Sequence, residues 1–158
     1  MRESGRSHSP AGSGIIALMT LPRIIYGQDS ALTVAEFKRV LTESGLGTIR
    51  PVADDARLGD MLSGANLIVT ARLDQPDRAV VGVARGITDN AWCCYLSDLA
   101  VSASVQGQGV GRALLDEVRC QLGPRVTLLL ASVPDAVGFY ERGGMERVPD
   151  AFWYRRLG

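Results

Sequence analysis

Histidine is almost missing from this chain: the single one, His8, falls in a Ser- and Gly-rich leader. Only three cysteines accompany it, Cys93, Cys94 and Cys120, and none forms a C-x-x-C pair. No Cys/His cluster with structural-zinc spacing can be assembled, so a metal is not expected. The adjacent cysteines lie in an apolar run, and reduced, buried thiols in a cytoplasmic protein are the simplest expectation. An excess of one charge is missing as well, with 17 basic against 17 acidic residues and a net charge of zero. No global field draws nucleic acid or an anionic membrane. No apolar run approaches the length of a membrane span. Arg2 and Arg6 precede the apolar stretch Ile15–Met19, but it is short for a signal peptide and no small-residue cleavage site follows. Residues 1–20 therefore read as a disordered leader or a non-native extension.

What remains is one domain, residues 21–158, long enough for a core and too short for two ordinary units. Its most informative segment is Gln106-Gly107-Gln108-Gly109-Val110-Gly111, set between a strand-like run ending at Val101 and a helical pattern over Val110–Leu122. Three glycines in six positions let the backbone turn sharply and approach a ligand, and the free N–H groups opening the next helix attract an anion. A pyrophosphate fits that description. The dinucleotide fingerprint G-x-G-x-x-G fails because Arg112 stands where its last glycine would be, and a Walker A loop fails because Gly111 is followed by Arg112-Ala113. A glycine-rich turn that merely joins strand to helix is the plainer alternative.

The spacing Gln106-x-x-Gly109-x-Gly111, with Leu99-Ala100-Val101 before it, resembles the acyl-CoA signature of the GNAT acetyltransferases. The segment Gly138-Phe139-Tyr140-Glu141-Arg142-Gly143-Gly144-Met145 is similar to that family's Phe-Tyr-Glu-Lys-x-Gly-Phe motif, so the likeness runs from about Tyr95 to Gly144. Val133 stands where many members carry an Asn, and Met145 where a Phe is usual. The resemblance implies a GNAT α/β (α+β) fold: a mixed, mostly antiparallel sheet of six to seven strands, about four helices, and a splay at the cofactor site. It implies acetyl-CoA as cosubstrate, held by Leu99, Ala100, Val101, Gln106, Gly107, Gln108, Gly109, Val110, Gly111 and Arg112, with Tyr140 beside the reacting sulfur. The stretch from Arg50-Pro51 to Met61-Leu62 resembles a subgroup related to plant-type serotonin acetyltransferases.

Periodicity supplies the elements. Arg23–Tyr26 reads as a first strand. Thr33 with Glu36 forms a capping box ahead of Phe37, Val40 and Leu41 on one helical face. Asp54 or Asp55 can cap a second helix carrying Leu58, Met61, Leu62 and Ala65. Leu67–Leu73, Ala79–Ala84 and Trp92–Val101 read as an antiparallel meander, and Val110, Leu114, Val118 and Leu122 as the buried stripe of the cofactor helix. The uniformly apolar Val126–Ala131 suggests a central strand covered on both faces. Ser132 is the expected cap of a short helix ended by Gly143-Gly144, and Ala151–Arg156 the expected last strand.

Acetyl transfer to an amine needs a neutral nucleophile and a proton for the departing thiolate. Tyr140 is the candidate acid, since a phenol keeps a proton at neutral pH; a plain packing role for the Phe139-Tyr140 pair is the alternative. Strand alternation places Tyr95, Ser97 and Leu99 on one face and Leu96, Asp98 and Ala100 on the other. Alignment on the family pattern puts Tyr95 and Ser97 where a Glu or His base often stands, and neither is a strong base. Asp98 is expected to be structural unless the strand is bulged. Arg112 and Arg142 are each either cofactor contacts or surface cations. Trp92, Tyr95, Ser97, Trp153 and the loop near Gly59–Gly64 are expected to build the acceptor pocket. The expected partner is a small-molecule amine such as an arylalkylamine, with no nucleic acid and no membrane, and a homodimer is left open. An acyl-CoA-binding sensor that retains the fold without catalysis is the alternative function.

Overall fold

The computed structural model describes residues 22–157 of the 158, so the expectation for residues 1–20 lies outside the described residues. Strand β1 (Ile24–Gln28) leads to helix α1 (Val34–Glu43), which starts at Thr33 because two backbone donors there find side-chain partners. The Glu36 N–H donates to the Thr33 hydroxyl at 3.2 Å, and the Thr33 N–H donates to the Glu36 carboxylate at 2.9 Å. Phe37, Val40 and Leu41 are wholly buried from this helix. Asp54 caps α2 (Asp55–Ser63) by accepting from the Arg57 N–H at 2.9 Å, and Leu58 is its buried residue.

Strands β2 (Leu67–Leu73), β3 (Val80–Thr88) and β4 (Cys93–Val101) follow as an antiparallel meander. Helix α3 (Val110–Leu122) crosses over to β5 (Thr127–Leu129), which pairs parallel to β4, and α4 (Val137–Arg142) ends the regular structure. The sheet order is β1-β2-β3-β4-β5. One core lies under α3, around Val69, Ala84, Leu96, Leu114 and Val118; the other lies under α1 and α2, around Phe37, Val40, Leu58, Val83 and Ala100. Each fully buried Leu or Phe contributes on the order of 1.5–3 kcal/mol relative to its exposed state. Helix α3 rides close to the sheet because residue 82 is glycine: a Cβ there would lie 2.8 Å from the Leu114 Cδ1.

The fold class is as the sequence implies, with fewer strands. Among the described residues the sheet has five, not six or seven. Ala151–Arg156 forms no strand. In consequence Val126–Ala131 is not a central strand: only Thr127–Leu129 is extended and paired, at the sheet edge, with Leu128 and Leu130 turned to the α3 core and Leu129 exposed. A uniformly apolar run had suggested two covered faces. Ser132 does not cap the last helix; its hydroxyl donates to the Val133 carbonyl at 2.8 Å, and a 3-10 turn at Pro134–Ala136 intervenes. Of the cysteines only Cys94 is buried, and burial pushes its thiol up from the ordinary value; Cys93 and Cys120 are exposed. Among the described residues no helix is long and apolar enough to cross a membrane.

Helix α1 is tied to the sheet by an ionic bridge. Arg72 donates from Nη1 to Glu36 at 2.9 Å and pairs through Nη2 with Asp29 at 2.8 Å, while the Thr70 hydroxyl donates to Asp29 at 3.0 Å. Partial burial works to raise the Glu36 carboxyl, but hydrogen bonds from Arg72 and Thr33 outweigh it and lower the group from 4.5 to about 2. Its folded value lies below its unfolded one, so this stabilisation is complete above pH 4.5 and is lost as pH falls toward 2. Glu36→Gln is expected to lower the urea midpoint at neutral pH and to flatten the acid limb of stability against pH. An acid limb as steep as the parent's would show that other carboxylates govern it.

Candidate functional site

The site is made where β4 and β5 part. Their parallel pairing runs through Cys93–Thr127, Cys94–Leu128 and Tyr95–Leu129 and stops there, while β4 continues to Val101. On the opposite side of β4, its register against β3 shifts: Leu96 faces Gly86 but Asp98 faces Arg85, leaving Ser97 as the extra residue of a bulge. The inserted residue reverses the alternation of side chains. Leu96 and Leu99 therefore both join the α3 core, and Ala100 joins the opposite one. The expectation that Tyr95, Ser97 and Leu99 share one face, with Leu96 on the other beside Asp98 and Ala100, is corrected by this bulge.

Asp98 is the charged centre of the bulge. Its side chain is fully buried, with Arg50 Nε donating to one oxygen at 2.5 Å and Arg85 Nε to the other at 2.6 Å. Arg50 Nη2 also donates to the Ser97 carbonyl at 2.8 Å. Arg85 Nη2 donates to the Ser97 hydroxyl at 2.9 Å, and its Nη1 to the Met61 carbonyl at 3.1 Å. A carboxylate gripped at both oxygens and closed to solvent is an anchor, not a proton acceptor for a bound amine. The two arginines were missed in the sequence. Arg85 carried a readable signal, a cation inside an apolar strand that must find a buried partner; Arg50, in a loop, carried none.

The glycine cradle follows β4 directly. A 3-10 turn at Ala103–Val105 leads into Gly107 and Gly109, at φ +75° and +82°, and an added Cβ at either would meet nothing within 4 Å. The conformation demands glycine, and the space beside it is open. Gly109 gives α3 no side-chain cap, and the first intrahelical bond runs from the Ala113 N–H to the Gly109 carbonyl at 3.0 Å. The N–H groups of Val110, Gly111 and Arg112 thus open the helix without partners inside it. Gly111 sits against the Phe139 ring, 3.4 Å from where a Cβ would be. Gln106 braces the loop by donating from Nε2 to the Val101 carbonyl at 2.8 Å, and Gln108 reaches the Ser104 carbonyl at 3.4 Å. Arg112 is turned along the helix to both Asp116 oxygens at 3.0 Å.

Tyr140 comes from α4 to the same region. It packs edge-on against Phe139, with ring centroids 5.0 Å apart, and burial raises its hydroxyl above the ordinary 10.0. The phenol therefore holds its proton throughout the neutral range. A groove of about 620 Å³ is lined by Tyr95, Leu129, Ser132, Tyr140, Phe152 and Trp153 among others. The structure thus brings Tyr95, Tyr140 and Trp153 together. Ser97 does not line this groove, and Trp92 stands exposed at the β3–β4 turn.

A glycine cradle at a helix opening, beside a strand pair that parts next to a bulge, is the arrangement the resemblance in the sequence implies, and comparison with known proteins gives the family. Residues 37–153 match the acetyltransferase (GNAT) domain model, and the chain belongs to that family. It is 32% identical over 83 residues to the uncharacterized N-acetyltransferase ycf52 of Pyropia yezoensis, covering 49% of this chain and 48% of that protein. It is 33% identical over 86 residues to the chloroplastic GCN5-related N-acetyltransferase 2 of Arabidopsis thaliana, covering 51% and 33%. The chain thus matches about half the length, or less, of these relatives. A GNAT-family acetyltransferase from Streptococcus pneumoniae superposes with a TM-score of 0.62 at 25% identity, over 85% of this chain and all of that one. An aminoglycoside N-acetyltransferase solved in complex with CoA has the same fold at 15% identity, with a TM-score of 0.63 over 88% of this chain and 98% of its own. The family is one of acetyltransferases. Among the described residues no group of three or more His, Cys, Asp or Glu could hold a metal ion.

The buried cluster makes a strong demand on stability. Asp98→Asn leaves two guanidinium groups without their counter-charge, and removing one partner of a buried ion pair costs about 3–5 kcal/mol. The variant is expected to melt several degrees lower than the parent, whereas Arg112→Ala, at an exposed pair, changes melting little. Calorimetric scans of both check this, and equal melting would mean that Asp98 is dispensable to the fold.

Proposed function

We propose that this protein transfers the acetyl group of acetyl-CoA to a primary amine of a small molecule, an arylalkylamine being the best-fitting class, by direct attack in a ternary complex. The observation that carries the reading is the open cradle at Gly107 and Gly109, set at the uncapped start of α3 and next to the free edge of β4. These residues suit the cofactor: a pyrophosphate needs clear space and converging N–H donors, and both are present. Gly107, Gln108, Gly109, Val110 and Gly111 would hold the pyrophosphate by their backbone. Leu99, Ala100 and Val101 would offer a strand edge to the pantetheine arm, with the Val101 carbonyl shared with Gln106. Arg112 would have to leave Asp116 to reach a phosphate, which makes it the least important of the set.

Bound acetyl-CoA would supply an activated acetyl thioester, and the rest is the work of the protein's own groups. Tyr140 is assigned as the acid that returns a proton to the departing thiolate, since its partly buried hydroxyl stays protonated at neutral pH. Tyr95 and Trp153 give the acceptor an aromatic wall. The Ser97 hydroxyl, fixed by Arg85, serves at most as a relay from the amine to solvent. With Asp98 engaged by two arginines, the amine sheds its proton mainly to water, so rate should rise with pH toward the acceptor's own pKa. We place the reaction in the cytoplasm, on a small-molecule acceptor, without nucleic acid or membrane. The engagement of Asp98 by two arginines, with no other free carboxylate or histidine assigned to the bulge among the described residues, favours a second reading, an acyl-CoA-binding sensor with little turnover.

Thiol release with a panel of primary amines separates these readings: turnover supports the enzyme, and binding without turnover supports the sensor. Tyr140→Phe is expected to keep acetyl-CoA affinity and to lower the rate by roughly 10²-fold, within the usual range for acid catalysis. Wild-type turnover in that variant would make Tyr140 a packing residue. Gly109→Asp places a side chain at φ +82° and a negative charge in the cradle, and is expected to abolish acetyl-CoA binding with the fold intact by circular dichroism. Unchanged affinity by calorimetry would remove the cofactor assignment.

A further inference from the structure

The cluster around Asp98 holds one cation more than its charge requires. Among the described residues Asp98 is the only carboxylate within ion-pair reach of Arg50 or Arg85, so one buried negative charge meets two positive ones. Arg85 alone would balance it, since its side chain is 6% exposed, comes from the neighbouring strand and meets a carboxylate oxygen at 2.6 Å. A surplus guanidinium, only 22% exposed, is costly to hold out of water. Its contacts show a second task. Arg85 touches the bulge through side chains alone, the Asp98 carboxylate and the Ser97 hydroxyl. Arg50 reaches its backbone: Nη2 donates to the Ser97 carbonyl at 2.8 Å while Nε donates to Asp98 at 2.5 Å, so one planar fork grips both residues of the bulge. Nη1 donates to the Ile49 carbonyl at 3.1 Å.

We propose that Arg50 is a positioning residue for acetyl transfer, a role that rests on the function proposed above: it fixes the orientation of the Ser97–Asp98 peptide just past Tyr95–Leu129, the last pair before β4 and β5 part. Acetyl transfer gathers negative charge on the thioester oxygen, and a peptide at the strand edge helps or hinders according to which end of its dipole it presents. With the Ser97 carbonyl bound to a guanidinium, its negative end is neutralised and the peptide is held against turning over. Arg50 is itself placed by local sequence. Pro51 follows it and favours extended backbone, which Arg50 has at φ −126° and ψ 153°. Its N–H donates to the Gly47 carbonyl at 3.4 Å, and its carbonyl accepts from the Val52 N–H at 2.8 Å. Gly47 in turn is pressed against the end of α1, where a Cβ would lie 3.1 Å from the Leu41 carbonyl oxygen.

Two variants of the full chain test the role. Arg50→Met keeps the length without donors and leaves Asp98 and Arg85 as a balanced pair, whereas Arg50→Lys keeps the charge but replaces the fork by a point donor. Without any ligand, the Ser97 carbonyl-carbon resonance is expected to move in both, and the amides of Ser97 to Leu99 to exchange about tenfold faster or more. Both should melt above Asp98→Asn. With an amine that the parent accepts, kcat is expected to fall roughly 10²-fold in Arg50→Met, as for a small misplacement of reacting groups, while acetyl-CoA affinity and the amine KM stay within about threefold. Arg50→Lys should recover little of that loss. An unmoved Ser97 resonance, a parent-like kcat in Arg50→Met, full recovery in Arg50→Lys, or melting lowered as far as in Asp98→Asn would each overturn the assignment while the parent's turnover stands. A parent that binds acetyl-CoA but turns over no amine would instead remove the proposed function, and this role with it.

Discussion

The buried carboxylate of Asp98 between Arg50 and Arg85 is the constraint on which the site depends. Two cations and one anion withdrawn from water are a costly way to fill a core, and an apolar cluster of equal volume would serve stability as well or better. What the ionic cluster adds is direction. Each guanidinium fork ends on a particular atom: the Ser97 carbonyl, the Ser97 hydroxyl or the Met61 carbonyl. The bulge is thereby tied to β3, to the end of α2 and to the loop before α2 at once. Because the bulge sets where β4 turns its side chains, the same cluster decides which residues face the splay and which face the core. The layer of α1 and α2 and the strand edge proposed for the cofactor are fastened at one point.

Much of this was legible in the chain. The Thr33–Glu36 box, the Asp54 cap and the stripe through Val110, Leu114 and Val118 are local signals, complete within one turn or one helix, and the structure has each where the pattern puts it. The glycine cradle was legible for the same reason: positive φ at Gly107 and Gly109 is a property of the residue before it is a property of the fold. The bulge was not. A one-residue insertion leaves no trace in hydropathy, since Tyr95-Leu96-Ser97-Asp98-Leu99 alternates equally well without it. The facing of β4 was therefore misjudged from Ser97 onward.

The edge of the sheet was also misread, for a different reason. Val126–Ala131 and Ala151–Arg156 have the composition of strands, but composition reports what a segment would do if offered a partner. Whether the partner is there is a property of the whole assembly. The placing of Tyr95 and Trp153 in one groove, with Trp92 left outside it, belongs to the same category, since separation in sequence says nothing of which end of a hairpin a ring will occupy.

Gly82 sets the spacing between α3 and the sheet, where Leu114 occupies the place a side chain would take. Val110 at the opening of α3 and Leu114 one turn on are both buried in the core under the helix, so the N–H groups there are positioned by core packing. For an anion, ordering the receiving dipoles is a large part of the entropy lost on binding, and here that loss is taken during folding. On the proposed function, the phosphate end of the site is then set by the core under α3 and the acceptor end by the groove beside β5, so that the two can be tuned apart.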